Sequence, residues 1–326
     1  LIDRLSGRHE GLMEPILTLT LNPAIDGACE ADEVRPTHKI RTSEERYDPG
    51  GGGINVARVL DRLGAPVTAA YCAGGASGGL LDDLIDRIGL ARHCIPVEGQ
   101  TRMSLSVFER STGQEYRFVP QGPILSDAEW QGVIDHVYSA RCGWLVASGS
   151  LPRGVPVDFY ARLAATCRER DIRMVLDSSG PPLAAAVEAG GLALVKPSLG
   201  EFEALTGATY ASPQEIGAAA HALVLAGKAD IVAVTLGHRG AVLADVNGSL
   251  CRPGLDVPVQ SATGAGDSFV AGMVHGLASG MDTASAFRRG MAAGTAAVLT
   301  PGTDLCSVAD IDRIWASMGT DDGCTA

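Results

Sequence analysis

The chain has 326 residues, 46% of them hydrophobic, and a formal net charge of −12, enough length for one large α/β domain or two smaller ones with ample core. No apolar run approaches the roughly 18 residues of a membrane span, and an acidic chain lacks the broad basic face that nucleic acid demands. The chain is therefore read as cytoplasmic, with neither membrane nor nucleic-acid partners.

In chain order, residues 1–13 are charged and lack the apolar stretch of a secretion signal, so they are expected to be a disordered or extraneous extension. Ile16–Leu21, "ILTLTL", alternates apolar residues with threonine, which predicts a half-buried strand. Asp26 follows in "LNPAID", placed by that reading at the carboxyl end of the strand, where a turn-forming role is the simplest. Residues 27–48 are polar and strand-like with no helix between the pieces, and they carry Lys39, one of three lysines in the chain. Four consecutive glycines, Gly50–Gly53, then open a patterned helix in "PGGGGINVARVLDRLG", with Asn55 in its first turn. Glycine feeding straight into a helix suits close backbone approach to a ligand or a positive φ better than it suits a linker.

Strands are predicted at Val67–Cys72, Trp144–Ala147, Met174–Leu176, Leu192–Val195, Ile231–Leu236 and Ala241–Ala244. Residues 101–119, with Arg102 and Arg117, read as a hairpin around "STGQ" that pairs with 27–48 into a small separate sheet, a lid or a dimer contact. "SDAE" at Ser126–Glu129 and "SPQE" at Ser212–Glu215 are helix starts. Alternating strands and helices predict a mainly parallel sheet covered on both faces, with ligands at the carboxyl ends of its strands. "SGSLP" (Ser148–Pro152) offers hydroxyls and N–H groups at one such end.

Late in the chain, "SATGAGDSFVAGM" sets Asp267 directly after Gly264-Ala265-Gly266 at the start of an apolar helix. A capping carboxylate is one reading. The other is a catalytic base beside N–H groups that hold a phosphate. No G-x-x-x-x-G-K-[ST] occurs and "GAGDSF" lacks the third glycine of the dinucleotide fingerprint, which sets aside a P-loop and disfavours an NAD enzyme. The eight scattered cysteines include no C-x-x-C pair, so they read as reduced thiols.

Taken in order, "TLNPAID", "PGGGGINVARVLDRLG", "TRMSLSVF…YRFVPQG", "SGSLPRGV", "LDSSG", "VKPSLGE", "TLGHRGA" and "SATGAGDSFVAGM" resemble the PfkB (ribokinase-like) family of carbohydrate kinases, from about Ile16 to Ile314. The match is to its phosphosugar branch, nearest the minor 6-phosphofructokinase type, with 1-phosphofructokinase and tagatose-6-phosphate kinase as relatives. The resemblance implies a ribokinase-like α/β fold over residues 14–318, with a β-sheet lid at about 27–48 and 101–119, a tail at 319–326 and a lid-to-lid homodimer. It implies Asp267 as catalytic base and Gly264, Ala265 and Gly266 as anion hole. Asp26, Gly51, Gly52 and Asn55 would hold the sugar, and Lys39, Arg102 and Ser150 its phosphate. Lys196 and Ser198 would lie near ATP, with Thr235, Gly237 and Gly240 lining the nucleotide cleft. Glu201 would hold Mg2+ through water, and a monovalent cation such as K+ would sit by Val257–Val259 and 300–302.

Two departures stand out. Ser198 occupies the usual Asn position of Asn-x-x-Glu, leaving a gap for a water, and Asp304 stands where a basic residue is expected. The implied reaction is ATP-dependent phosphorylation of fructose 6-phosphate at its C1 hydroxyl. Fructose 1-phosphate or tagatose 6-phosphate are the alternative acceptors, and a non-catalytic sugar-phosphate-binding regulator is the alternative of another class.

Overall fold

The computed structural model describes residues 13–300 and 304–319. The extension assigned to 1–13, the tail at 319–326 and the cation-site residues 301–302 therefore lie almost entirely outside the described residues. The strands are β1 (Ile16–Thr20), β2 (Ala24–Ala31), β3 (Thr42–Gly50), β4 (Val67–Ala73), β5 (Arg92–Pro96), β6 (Arg102–Glu109), β7 (Gln114–Phe118), β8 (Trp144–Ser148), β9 (Arg173–Asp177), β10 (Leu192–Val195), β11 (Ala229–Thr235), β12 (Ala241–Asp245) and β13 (Gly248–Arg252). The helices are α1 (Gly52–Arg62), α2 (Gly75–Arg87), α3 (Asp127–Ser139), α4 (Phe159–Glu169), α5 (Gly180–Ala189), α6 (Leu199–Thr206), α7 (Pro213–Leu225), α8 (Ala265–Ala278), α9 (Thr283–Ala297) and α10 (Val308–Ser317).

Nine strands form one sheet in the order β13-β12-β11-β10-β9-β8-β1-β4-β5, parallel except at the β11-β12-β13 edge. Helices cover both faces, giving two apolar clusters, one around α1, α8 and α9 and the other around α3, α4 and α7. β1 is an interior strand, and here the structure corrects the sequence reading: all five of its residues are buried, threonines included. An interior parallel strand has no solvent face to spend its polar residues on. Thr20 instead accepts a hydrogen bond from the Ile54 backbone N–H at 3.0 Å, pinning the start of α1 to the end of β1.

The chain leaves β1 toward β4 and β5 on one side and returns to β8 on the other, so strand order reverses at β1 and β8. Such a reversal opens a crevice at the carboxyl ends of the strands. The second sheet, β3-β2-β6-β7, is the predicted small sheet, with the β6–β7 hairpin turning through 110–113. Its first pair is longer than the expected 27–48, because β2 begins at Ala24 and β3 runs to Gly50. Asp26 is consequently inside a strand of the small sheet, not in a turn after β1.

α8 is fixed by its neighbours before any chemistry is considered. Phe269 stacks edge-on against Phe287 of α9 with ring centroids 5.9 Å apart, a pair worth ~0.5–1.5 kcal/mol beyond its buried area. Both rings are buried, so the α8 N-terminus has little freedom to shift against the sheet.

Candidate active site

Two glycine-led helix starts meet at the crevice. α1 begins after Gly51, whose φ of 111° serves as the N-cap conformation, and Gly52 packs against the end of β8. A Cβ on Gly52 would overlap the Ser148 hydroxyl and stand 3.2 Å from Asp267 Oδ1. α8 begins after Gly264, which is left-handed at φ 74° and has no side chain with which to cap the helix. The first turn of α8 therefore has no side-chain cap: the Ala265 N–H makes a weak turn bond to the Ala262 carbonyl at 3.4 Å, and the Ser268 N–H donates to the Gly264 carbonyl at 2.8 Å.

Asp267 sits in that first turn but does not cap it. Its Oδ2 accepts from Asn55 Nδ2 at 2.9 Å, linking the two helices across 212 residues of sequence. Burial pushes its carboxyl up to about 7, Asp177 adds to the rise, and the Asn55 hydrogen bond and Lys196 oppose it. A carboxyl poised near neutrality in a crevice suits proton abstraction.

Lys196 is buried just past β10, with its ammonium 3.0 Å from Asp177 Oδ1. Burial disfavours its charge, but the Asp177, Glu201 and Asp267 carboxylates outweigh that and hold it protonated. Its Nζ would lie 3.6 Å from a Cβ on Gly266, which places a cation against the first turn of α8. Ser198 and Glu201 answer the question raised by the missing Asn. Ser198 is the N-cap of α6, and Glu201 Oε2 accepts from its N–H at 2.7 Å and its hydroxyl at 2.8 Å. The Ser-x-x-Glu capping box was legible in the sequence by the same rule as "SDAE". Thr235 bridges to Ser198, and its N–H donates to Pro197 O at 3.0 Å, so the end of β11 borders the same region. Gly237 is exposed there and Gly240 is buried under 252–254.

On the lid side, Asp26 pairs in register with Asp48 and with Ser104, whose hydroxyl donates to it. Burial raises the Asp26 carboxyl despite that bond and the nearby Arg102 and Arg117. Arg102, the first residue of β6, donates to the carbonyls of Asn22 at 2.9 Å, Pro120 at 3.1 Å and Pro23 at 3.4 Å. Those carbonyls fix the guanidinium at the hinge between lid and sheet. Asn22, which sequence reasoning passed over, donates to Ser150 Oγ at 3.4 Å and so brings Ser150 to the same side. Lys39 is not brought in: it is exposed on the β2–β3 connection.

A cavity of about 280 Å³ gathers Gly52, Ser148, Ser150, Asp177, Glu201 and Asp267. A larger one of about 600 Å³ lies against the lid strands, but Glu30, Glu44, Glu45 and Glu115 line it with Arg46 the one cation among the described lining residues, a balance that repels an anionic ligand. The smaller cavity is the candidate site. Asp177 is the notable omission from the sequence reading; it ends β9, and its signal was a carboxylate at the carboxyl end of a parallel strand. Asp304 pairs with Arg46 of β3 at 3.7 Å, which gives the acidic residue there a partner between the lid and the segment that leads into α10. The seven cysteines among the described residues are free.

Comparison with known proteins places the site in context. The model of the pfkB family carbohydrate kinases matches residues 20–310. The ATP-dependent 6-phosphofructokinase isozyme 2 of Mycobacterium tuberculosis is 42% identical over 302 residues, covering 92% of this chain and 88% of that protein. Phosphofructokinase-2 from Escherichia coli, solved with potassium, superposes with a TM-score of 0.90 at 38% identity, covering 94% of this chain and 99% of that one. The same enzyme solved with fructose-6-phosphate gives a TM-score of 0.88 at 37% identity, with the same coverage. The 1-phosphofructokinase of Xanthomonas campestris is 37% identical over 266 residues, covering 80% of this chain and 83% of that protein.

Proposed function

The chain belongs to the pfkB family of carbohydrate kinases, and from that premise we propose that it transfers the γ-phosphoryl group of ATP to the C1 hydroxyl of fructose 6-phosphate. The observation that carries the reading is the Asp267 carboxylate beside an uncapped helix N-terminus, in a cavity shared with Ser148, Ser150 and Glu201. Asp267 takes the proton of the attacking hydroxyl as the bond to phosphorus forms. The N–H groups of Gly264, Ala265 and Gly266, with Lys196 beside them, stabilise charge on the transferring group. Phosphoryl transfer gains chiefly from such positioning and fixed charge.

Asp26, Gly51, Gly52 and Asn55 orient the sugar, and Arg102 and Ser150 take its phosphate, while Lys39 stays outside the site on the β2–β3 connection. Arg102 supports this because its guanidinium is held by three carbonyls, leaving it charged and oriented. Thr235, Gly237 and Gly240 line the nucleotide cleft. Mg2+ keeps several waters and binds through one or two carboxylates and substrate phosphates. The Glu201 oxygen outside the capping box fits that demand, as does its place in the cavity. Mg2+ supplies charge neutralisation on the nucleotide phosphates when bound. A K+ site beside the anion hole remains part of the reading, supported by the potassium complex of the Escherichia coli relative.

Residues 14–318 form one kinase domain in this reading, and its lid makes a homodimer. Tyr47, Leu105 and Phe118 stand in register across the small sheet and are 49%, 38% and 58% exposed. An apolar sheet face of this kind calls for cover, and a second lid supplies it. Sedimentation at micromolar concentration is expected to give a dimer, or a multiple of it, that Leu105→Glu reduces to monomer. The deciding assay is ADP release with MgATP and fructose 6-phosphate, fructose 1-phosphate or tagatose 6-phosphate in parallel. The highest kcat/KM is expected for fructose 6-phosphate; a higher value for another acceptor changes the substrate and keeps the chemistry.

A further inference from the structure

The bond between Asn55 and Asp267 depends on which end of the Asn55 amide faces the carboxylate. The other end points at Arg58, one turn on in α1, where Nη1 donates to Asn55 Oδ1 at 3.4 Å and to the Pro49 carbonyl at 3.1 Å. Arg58 is buried, 6% exposed, and its Nη2 lies 3.9 Å from Asp48 Oδ1, the strand neighbour of Asp26. A guanidinium only donates, so the amide must turn its oxygen to Arg58 and its nitrogen to Asp267. An amide free to rotate could instead accept from a protonated Asp267 and favour the acid.

We infer that Arg58 is a positioning residue for the base: it locks the Asn55 amide with the N–H end toward Asp267, so that the ionised carboxylate is the form held in place. The inference rests on Asp267 as the base in the function proposed above. It joins the lid to the reacting centre, since the same guanidinium faces Asp48 and Pro49 on β3 and Asn55 on α1.

The test follows the Asp267 carboxyl titration by 13C NMR in the full-length protein without substrate, with Asp267→Asn assigning the signal. The other groups that bear on Asp267 are Asp177 from β9, Lys196 after β10 and Asp26 on β2, with Asn55 on α1, and all of these charges are retained. Arg58→Met is expected to move the Asp267 midpoint upward by about half a pH unit or more and to lower kcat ~10-fold, the scale of one charged hydrogen bond. In an Asn55→Ala background the same substitution is expected to shift the midpoint by less than a third as much, because the two act as one unit. An unmoved midpoint, or equal shifts in the two backgrounds, overturns the inference. Arg58→Met also removes the ion pair with Asp48, so Arg58→Met with Asp48→Asn is run alongside, and Arg58→Lys, which keeps the charge without the fork, is expected to fall between wild type and Arg58→Met. Absence of turnover on every phosphosugar would fall on the functional reading, while the substrate-free titration still decides the role of Arg58.

Discussion

Two helix starts border the same cleft and treat their N-termini in opposite ways. α6 closes its own with the Ser198–Glu201 capping box, each partner satisfying the other. α8 begins on Gly264, leaves its N–H groups without a side-chain cap, and gives its first-turn carboxylate to Asn55 on another helix. A cap is worth ~1 kcal/mol of stability, and α8 forgoes it. The difference separates a helix end closed by its own side chains from one left without a side-chain cap, which in the function proposed above receives the transferring phosphoryl group.

The sharpest way to break that contrast is Asp267→Asn. Activity is expected to fall ~10²–10⁴-fold in initial-rate assays, with the fold retained by circular dichroism. Stability should move the other way. Burial raises the native carboxyl to about 7, above the ~3.9 of an unfolded chain, so the native state holds a proton that the unfolded state has lost between those values. Stability therefore falls as pH rises through that window, and the full penalty is present above about 7. Asp267→Asn should raise Tm at pH ~8 and lose that gain below pH ~4. For the same reason the acid limb of wild-type kcat/KM is expected near pH 7. If the Asp267→Asn protein were no more stable than wild type at high pH, Asp267 would be an ordinary solvated carboxylate.

Gly52→Ala sharpens the comparison from the α1 side. Its Cβ would overlap Ser148 Oγ and press on Asp267, so kcat is expected to drop ~10²-fold through displacement of the reacting groups. Near-normal kcat would mean that the crevice is looser than its geometry. Arg102→Ala should raise KM for the phosphosugar ~10–100-fold while KM for ATP stays within about twofold. An unchanged sugar-phosphate KM would reduce Arg102 to a hinge staple on its three carbonyls. The smallest effect belongs to α6: Ser198→Ala is expected to cost ~1 kcal/mol in urea denaturation and to leave kcat within a few-fold. A large loss of activity there would show that Ser198 serves the nucleotide as well as the helix.

How much of this was readable beforehand follows from how local each signal is. The α1 stripe, the 101–119 hairpin, the helix starts at Ser126 and Ser212, and strands β4 and β8 to β12 were legible because period and capping act within a few residues, whereas the edge strands β5 and β13 were not predicted. The Ser198 box is equally local, although the same serine also stands where an Asn is expected. "ILTLTL" misled because alternation reports a solvent face, and the helices on both sides of β1 leave it none.

By itself the sequence determined the α/β class, the two excursions that become the small sheet, and the glycine runs that open α1 and α8. Only the tertiary structure decided that Asp26 belongs to the lid, that Asp177 pairs with Lys196 beside the cavity, and that Asn55 reaches Asp267. These are contacts between elements far apart in the chain. They form around the carboxyl ends of the parallel strands, and no local propensity encodes which side chains will meet there.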